Sequence, residues 1–190
     1  MELSSILVGG SPWLDLVNTI YLSNGEKQDV LGEEALSREW LVQSQLVPHA
    51  QGIEKDPSFI SCLTDLRALF LNFLETKPTM ETGPVAFPVD QLNQLAATLN
   101  LKLSIDWHEG KLHEAITGIT LQEDVLYKII HSFIDTLKNV TYDRIKQCLH
   151  EDCILYFLDL SKGGKRKWCR METCGNRVKA SKFYANKKLT

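Results

Sequence analysis

The chain has 190 residues, of which 44% are hydrophobic and 24% charged, a composition typical of a globular protein with room for one domain and a small appendage. No apolar run reaches the roughly 18 to 20 residues that a membrane span needs, and the acidic, Gly- and Pro-interrupted start is unlike a secretory signal, so we expect a cytoplasmic protein. The formal net charge of -3 hides an asymmetry, because residues 1–143 carry nine Lys or Arg against twenty acids and residues 144–190 carry twelve against four.

Helical periodicity dominates the first part of the chain. Residues 12–22 follow a Ser-Pro start signal and space their apolar side chains as a helix does, although a strand over residues 13–17 competes with this interpretation. A second helix is predicted over residues 32–47, ended by Pro48. The clearest helix covers residues 56–75, with an Asp as N-cap and a Pro at its first position.

Two more helices are predicted before the cysteine-rich end. A connector rich in Pro and Gly, residues 76–88, leads to a short helix over residues 90–100. Thr120 and Glu123 form the sequence signature of a capping box at the start of a long helix over residues 120–139. The apolar face of this helix is predicted to join the core.

Between these two helices, the spacing of apolar residues changes from that of a helix to an alternation of apolar and polar residues, which is typical of a strand. The alternating apolar positions are Leu101, Leu103, Ile105 and Trp107. Residues 108–111 offer a Gly-containing turn, and residues 112–119 follow as a second extended run. The pattern predicts a β-hairpin within an otherwise helical domain.

Four of the five cysteines lie in two close pairs near the end of the chain: Cys148, Cys153, Cys169 and Cys174. Zn²⁺ binds four thiolates tetrahedrally at about 2.3 Å, and short pairs on turns are how proteins commonly supply them. A full set leaves no open coordination position, so the spacing predicts one structural zinc ion rather than a catalytic one. The alternative to a zinc site is a set of four reduced structural cysteines. His150, inside the first pair, is expected to be a surface residue, and the alternative is that it serves as a substitute zinc ligand.

The segment between the cysteine pairs has the composition of a hairpin. Residues 154–160 and 165–170 are rich in aromatic and β-branched residues, and residues 161–164 form a Gly-rich turn between them. Residues 175–188 are helical in pattern. The predicted order of turn, hairpin, turn and helix resembles zinc-ribbon and treble-clef modules, and so short a module depends on its metal for stability.

This end of the sequence resembles the CGNR zinc finger, whose four name-giving residues are Cys174 to Arg177. The motif WLDLVNTI near the start, the EWL helix, and the hairpin followed by a long helix resemble the ABATE domain that accompanies this finger in bacterial proteins. The resemblance implies a stress-induced transcription regulator that binds DNA. We therefore expect an α+β protein with a mainly helical ABATE-like domain over residues 1–143 and the finger over residues 144–190.

Eight basic residues are candidates for nucleic-acid contact: Lys162, Lys165, Arg166, Lys167, Arg170, Arg177, Lys179 and Lys182. The basic end suits phosphate or another acidic surface, and the alternative is that the two oppositely charged parts of the chain attract each other. For Arg177, a contact with nucleic acid and a brace to Asp159 or the main chain have equal weight. The turn has glycines and lysines where members of the family are richer in Arg, which disfavours bidentate contacts with bases or phosphates.

Three polar residues in the apolar WLDLVNTI segment are candidates for a ligand pocket: Asp15, Asn18 and Thr19. Such residues more often tie neighbouring segments together. No catalytic motif is present, so we expect no enzyme activity. The predicted partners are DNA, a small-molecule effector and a second copy of the chain; the alternative functions are a protein-binding adaptor built on the zinc finger and small-molecule binding by the N-terminal domain.

Overall fold

The described part of the chain contains six α-helices and three two-stranded antiparallel hairpins, together with short 3-10 and π-helical turns. The computed structural model describes residues 3–49, 56–76 and 88–187, with the backbone alone for residues 182–186. The helices are α1 (Pro12–Val17), α2 (Glu34–Gln43), α3 (Pro57–Thr76), α4 (Val89–Ala96), α5 (Leu121–Asn139) and α6 (Asn176–Lys187). The hairpins pair β1 (Ile20–Ser23) with β2 (Glu26–Asp29), β3 (Leu101–His108) with β4 (Lys111–Gly118), and β5 (Ile145–Gln147) with β6 (Tyr156–Leu158). The predicted α+β architecture is confirmed.

The first helix is shorter than predicted. α1 ends at Val17, and residues 20–23 form a strand, so the prediction of a helix through residue 22 is wrong beyond Val17. The Thr19 hydroxyl donates to the carbonyl of Leu16 at 2.7 Å, and the Thr19 carbonyl accepts from the N–H of Val30 at 3.0 Å. These bonds turn the chain out of the helix and into the β1–β2 hairpin.

The helix caps predicted from the sequence are present. The Asp56 carboxylate accepts from the N–H groups of Ser58 at 2.9 Å and Phe59 at 3.3 Å, which satisfies the free donors at the start of α3. At α5, Thr120 and Glu123 form the reciprocal capping box. Most of the predicted Pro- and Gly-rich connector, residues 77–87, lies outside the described residues.

An aromatic cluster around Trp13 forms the centre of the helical core. The indole ring meets Phe70 and Phe133 edge-on, with ring centroids 5.4 and 5.1 Å away, and is fully buried. Its Nε1 donates to the Thr136 hydroxyl at 3.0 Å, which satisfies the one polar atom of the ring. α1, α3 and α5 are joined through this cluster.

The C-terminal hairpin differs from the predicted one. β6 pairs with β5, with Lys146 opposite Phe157, whereas residues 165–170 form no strand. The predicted pairing of residues 154–160 with residues 165–170 is therefore wrong. The first cysteine pair lies inside the β5–β6 hairpin. Within the described part of the chain, the segment after β6 pairs with no strand, and the buried Asp159 carboxylate, described below, fixes its position.

The helical part and the cysteine-rich part share one hydrophobic core. Buried residues of the hairpin, Phe157 and Leu158 among them, belong to the same cluster as the helices. The Leu158 N–H donates to the carbonyl of Gly9 at 2.9 Å. The predicted division of the chain at residue 143 stays a prediction. Within the described residues, none of the helices combines the length and the apolar character required to cross a membrane.

Burial of Asp15 makes the stability of the fold depend on pH. Burial raises the pKa of this carboxyl to about 6, although its Oδ1 accepts from the N–H of Gly9 at 2.8 Å, which lowers it. A folded-state pKa above the ordinary value means that the folded protein binds the proton more tightly, so stability falls as the pH rises from about 4 to 6.

We expect Asp15→Asn to remove this fall in stability and to stabilise the protein above pH 6 by up to about 3 kcal/mol, because the amide oxygen still accepts from Gly9 without placing a charge at this partly buried position. Urea unfolding between about pH 4 and 8 measures the effect. Asp65→Asn, at an exposed position of α3, is the control and should leave the pH profile unchanged. A profile of Asp15→Asn that parallels the wild type would contradict the assignment.

Candidate metal centre and basic loop

The four predicted cysteines converge on one point. Their sulfur atoms all lie within 4.8 Å of one another, and the Sγ of Cys169 is 3.8 Å from that of Cys153 and 3.7 Å from that of Cys174. Four ligands placed about 2.3 Å from a central ion in a tetrahedron are about 3.8 Å apart. The sulfur spacing therefore fits a tetrahedral Zn²⁺ site.

The thiols of this cluster also need a cation to ionise together. Side-chain hydrogen bonds from Cys153 and Cys169 lower the pKa of Cys148, whereas donation to Cys148 raises the pKa of Cys153 to about 12 and raises that of Cys169 as well. The protein groups alone thus favour one thiolate among protonated neighbours. A divalent cation supplies the charge that holds four thiolates at this spacing.

Backbone turns aim the first cysteine pair inward. The N–H of Cys148 donates to the carbonyl of Leu155 at 2.9 Å, and the N–H of Cys153 donates to the carbonyl of His150 at 3.0 Å. His150 is buried, and its Nδ1 accepts from the N–H of Asp152 at 3.0 Å. The expected surface location of His150 is therefore wrong, and its ring stabilises the turn.

The second pair ends at a π-helical turn, Met171–Gly175, that leads into α6. Cys174 is buried in this turn, two residues before the start of α6. Gly175 lets two side chains pack close to the backbone, because a Cβ there would lie 2.3 Å from the Met171 sulfur and 3.1 Å from the Trp168 ring, and a larger residue would displace the Met171 side chain.

A buried carboxylate holds the segment between the cysteine pairs, residues 160–168, which we call the basic loop. Asp159 is fully buried, and its carboxylate accepts from Lys146 Nζ at 2.7 Å, from the N–H of Arg166 at 2.9 Å, and from the Ser161 hydroxyl at 2.5 Å. Burial alone would raise the pKa of Asp159, but these donors outweigh it and hold the pKa well below the usual range. Lys146 Nζ also donates to the carbonyl of Gly164 at 2.5 Å, so the Lys146–Asp159 ion pair is bonded both to the middle of the loop and, at Arg166, close to its end.

The basic side chains of this loop divide into two groups. Arg166 stabilises the loop itself, because its guanidinium lies 4.3 Å from the centre of the Phe157 ring and donates to the carbonyls of Trp168, at 2.9 Å, and Cys169. The second group is exposed, and no polar partner of its side chains is found among the described residues: Lys162, Lys165 and Lys167. The lysines are therefore the part of the loop that is available to another molecule.

The remaining basic candidates lie outside the loop. Arg170 donates to the carbonyl of Ser4 at 2.9 Å and so connects the finger to the N-terminus. Arg177 and Lys179 are exposed on α6, and the side chain of Lys182 lies outside the described part of the chain. The brace to Asp159 that we considered for Arg177 is supplied instead by Lys146 and the main chain of Arg166.

The three polar residues of WLDLVNTI are engaged in bonds within the chain. Asn18 exchanges two hydrogen bonds with the backbone of Tyr156, at 2.9 and 2.8 Å, and so ties α1 to β6. Asp15 accepts from Gly9, and Thr19 accepts from Arg67 at 2.7 Å. A ligand pocket at these residues stays a prediction.

Sequence reasoning missed the partner of Thr19. Arg67 is buried within α3 and forms a bidentate ion pair with Asp29, with distances of 2.6 and 2.7 Å. The Asp29 pKa lies below its usual value because this pairing outweighs burial, which would raise it. The sequence signal for this buried arginine was its position inside the apolar stripe of α3, four residues after Leu63.

An open cleft of about 600 Å³ lies beside the basic loop, where it faces the end of α3. Leu74, Tyr142 and Tyr156 line one part of it, and Lys165 and Lys167 line another. The Tyr142 hydroxyl donates to the carbonyl of Leu74 at 3.1 Å, which fixes that ring. The cleft thus places two aromatic rings near the exposed lysines.

Two family models match the chain. The ABATE model, described as "Putative stress-induced transcription regulator", matches residues 10–139, and the CGNR zinc finger model matches residues 144–187. Among curated proteins, none gives a significant match. The first match alone covers more than half of the chain, and the second contains the four converging cysteines. The chain therefore belongs to the ABATE family and carries a CGNR zinc finger with one structural zinc site.

Proposed function

We propose that this protein is a DNA-binding transcription regulator whose zinc finger contacts the phosphate backbone through the basic loop. One observation carries the proposal: the basic loop exposes three lysines, Lys162, Lys165 and Lys167. Hydrogen bonds from Lys146 and the Arg166 main chain to the buried Asp159 carboxylate stabilise this loop. A cation held at a fixed position binds phosphate with a smaller loss of conformational entropy than one on a loose tail.

The zinc ion has a structural part in this proposal. Four thiolates occupy all the tetrahedral positions, so the ion supplies folding energy and joins Cys153, which precedes β6 and the loop, to Cys169, which directly follows the loop. The chain's own residues then do the binding. Arg166 keeps its guanidinium on the Phe157 ring, and we assign the phosphate contacts to the lysines.

The acidic N-terminal part suits an assembly or sensing unit better than a second DNA surface, because DNA repels a surface rich in carboxylates. The family description supports a regulatory function. Binding to an acidic protein would use the same lysines, so the experiment must separate the two partners. A cytoplasmic location in a bacterial cell is part of the proposal.

We expect duplex DNA to bind the zinc-loaded protein with an affinity that falls steeply as salt rises, because each phosphate contact releases counterions. Replacing Lys165 and Lys167 with Ala should weaken binding roughly 10- to 100-fold at low salt and lower the salt slope by about 2. Fluorescence anisotropy with a labelled duplex measures both quantities.

The control is the double variant Lys27→Ala/Lys138→Ala, which removes the same charge from exposed positions of the N-terminal part and should leave the slope unchanged. Zinc content and thermal stability of both variants should equal those of the wild type. Equal losses of DNA affinity in the two double variants would show that the effect comes from the net charge of the protein and not from the basic loop. Absence of DNA binding at low salt, with an acidic polypeptide bound instead, would favour the adaptor function.

A further inference from the structure

The β3–β4 hairpin extends from the protein with both of its faces exposed. We call residues 101–118 the hairpin arm. Fifteen of the sixteen strand residues are exposed and Gly118 is partly buried, and β3 and β4 hydrogen-bond only to each other within the described sheets. A two-stranded hairpin with nothing against its faces is marginally stable in water.

One face of the arm is almost entirely apolar. In the observed register Trp107 lies opposite Leu112 and Leu103 lies opposite Ile116, with Ile105 between these pairs on the same face. The exposed fractions of these residues are 69% for Trp107, 67% for Leu112, 64% for Ile105, 58% for Leu103 and 46% for Ile116. The opposite face carries charged and polar residues, which are Lys102, Ser104, Asp106, His108, Lys111, His113 and Thr117.

The root of the arm is firmly attached to α5. Asn100 Nδ2 donates to the Glu123 carboxylate at 2.7 Å, and the N–H of Gly118 donates to the Asp124 carboxylate at 3.0 Å. The hydrogen bond from the Asn100 side chain is the main reason that the Glu123 pKa is lowered to about 2. Glu123 is therefore ionised at neutral pH, and this bond persists there. A Cβ at position 118 would lie 2.0 Å from the Asp124 nitrogen, so the strand meets the helix in direct contact. The exposed apolar face therefore belongs to an arm with a fixed direction.

The apolar area of the arm is sufficient for a stable interface. With about 100 Å² for each exposed Leu or Ile and 150 to 250 Å² for a Trp, the face offers on the order of 600 Å². An interface of standard size buries about 800 Å² per partner, a little over half of it apolar. A contiguous exposed patch of this extent is at the upper limit for a typical monomer, which favours an interaction site.

We propose that the apolar face of the hairpin arm packs against the same face of a second copy of the chain. A twofold axis between two such faces places apolar side chains on both sides. The charged residue on this face, Glu114, lies on β4, whose other edge pairs with no strand among the described residues, so its carboxylate can reach water there. Packing face to face is favoured over strand addition at the β3 edge, because the Trp107 N–H donates to the Asp106 side chain at 2.8 Å and is not available to another strand. The proposal does not depend on DNA binding.

Sedimentation equilibrium of the zinc-loaded protein tests the proposal. We expect a mass of twice the 21.6 kDa chain at micromolar concentrations. Ile105→Lys should raise the dimer dissociation constant at least tenfold, because a buried ammonium would lie in the interface. Thr117→Lys, the matched control on the polar face, should leave it unchanged.

A second variant guards against misfolding of the arm. Leu103→Ser removes apolar area without adding charge and should weaken the dimer in the same direction, while circular dichroism shows an unchanged fold. A wild type of single-chain mass would overturn the proposal, and so would a dimer that Ile105→Lys and Leu103→Ser leave intact. A monomer in which Trp107 is protected from quenchers would show instead that the chain's own residues cover the face, which also overturns it.

Discussion

Replacing Cys169 with Ser will abolish zinc binding and unfold the C-terminal part of the chain. The Cys169 sulfur is buried and lies within 3.8 Å of two other ligands, so a serine hydroxyl leaves the ion with three thiolates and an enclosed gap. Structural zinc contributes about 10 to 16 kcal/mol of apparent binding free energy, which matches or exceeds the whole stability of a typical domain. Losing a large part of it is the greatest effect that we expect from a single substitution here.

The measurements are zinc content by atomic emission and the thermal unfolding curve with and without a chelator. The wild type should hold one zinc ion per chain and lose stability when the chelator removes it; Cys169→Ser should hold none and show no further response. Cys62→Ser is the matched control, because Cys62 lies in α3, away from the cluster, and is only partly buried. Stoichiometric zinc in Cys169→Ser, or its loss from Cys62→Ser, would contradict the four-cysteine assignment.

Asp159→Asn will release the basic loop while the metal centre persists. The carboxylate is fully buried and joins Lys146, Ser161 and Arg166, so the amide leaves a partly buried ammonium without its counter-ion. Removing one member of a buried pair costs roughly 3 to 5 kcal/mol, and we expect the lower end because Lys146 keeps 26% of its side chain exposed. DNA affinity should fall as well, since the loop no longer fixes its lysines.

Urea unfolding, zinc content and DNA anisotropy together test this prediction. Because the folded-state pKa of Asp159 is lowered, its contribution is complete at neutral pH and is lost only as the pH falls below about 4, so the difference from the wild type should shrink there. Asp143→Asn, at an exposed carboxylate 4.0 Å from the Arg144 guanidinium, should change stability by less than about 0.5 kcal/mol. A change in Asp159→Asn no larger than this would show that the buried carboxylate does not hold the loop.

Patterns that depend on near neighbours were predictable from the sequence. The cap of α3, the capping box of α5 and the β3–β4 hairpin each follow from residues within a few positions of one another, and all three are present. The cysteine spacing was informative for a similar reason, because a zinc site restricts which residue types can serve and how closely they must lie. The metal site was therefore predictable before the strands around it.

Features set by distant partners were not predictable from one sequence. β6 pairs with β5 and not with residues 165–170. This pairing depends on the Asp159 carboxylate, which binds Lys146 and the main chain of Arg166, and periodicity does not reveal these contacts. The early end of α1 depends on Thr19 meeting Val30 and Arg67. Arg166 illustrates the same limit: periodicity does not reveal that its guanidinium lies over Phe157 and bonds to the main chain, and its predicted contact with nucleic acid stays a prediction.

The backbone of β6 is joined to the N-terminal part at two residues, at Tyr156 through the Asn18 amide and at Leu158 through the Gly9 carbonyl. Evolution can transplant a module to a new protein when its surface is complete by itself. This finger lacks that property, because a host protein would have to supply the amide of an asparagine and a carbonyl at matching positions. We therefore expect the two parts to be inherited as a pair, and chimaeras that exchange fingers between relatives to work only when the segment from Gly9 to Asn18 is exchanged with them.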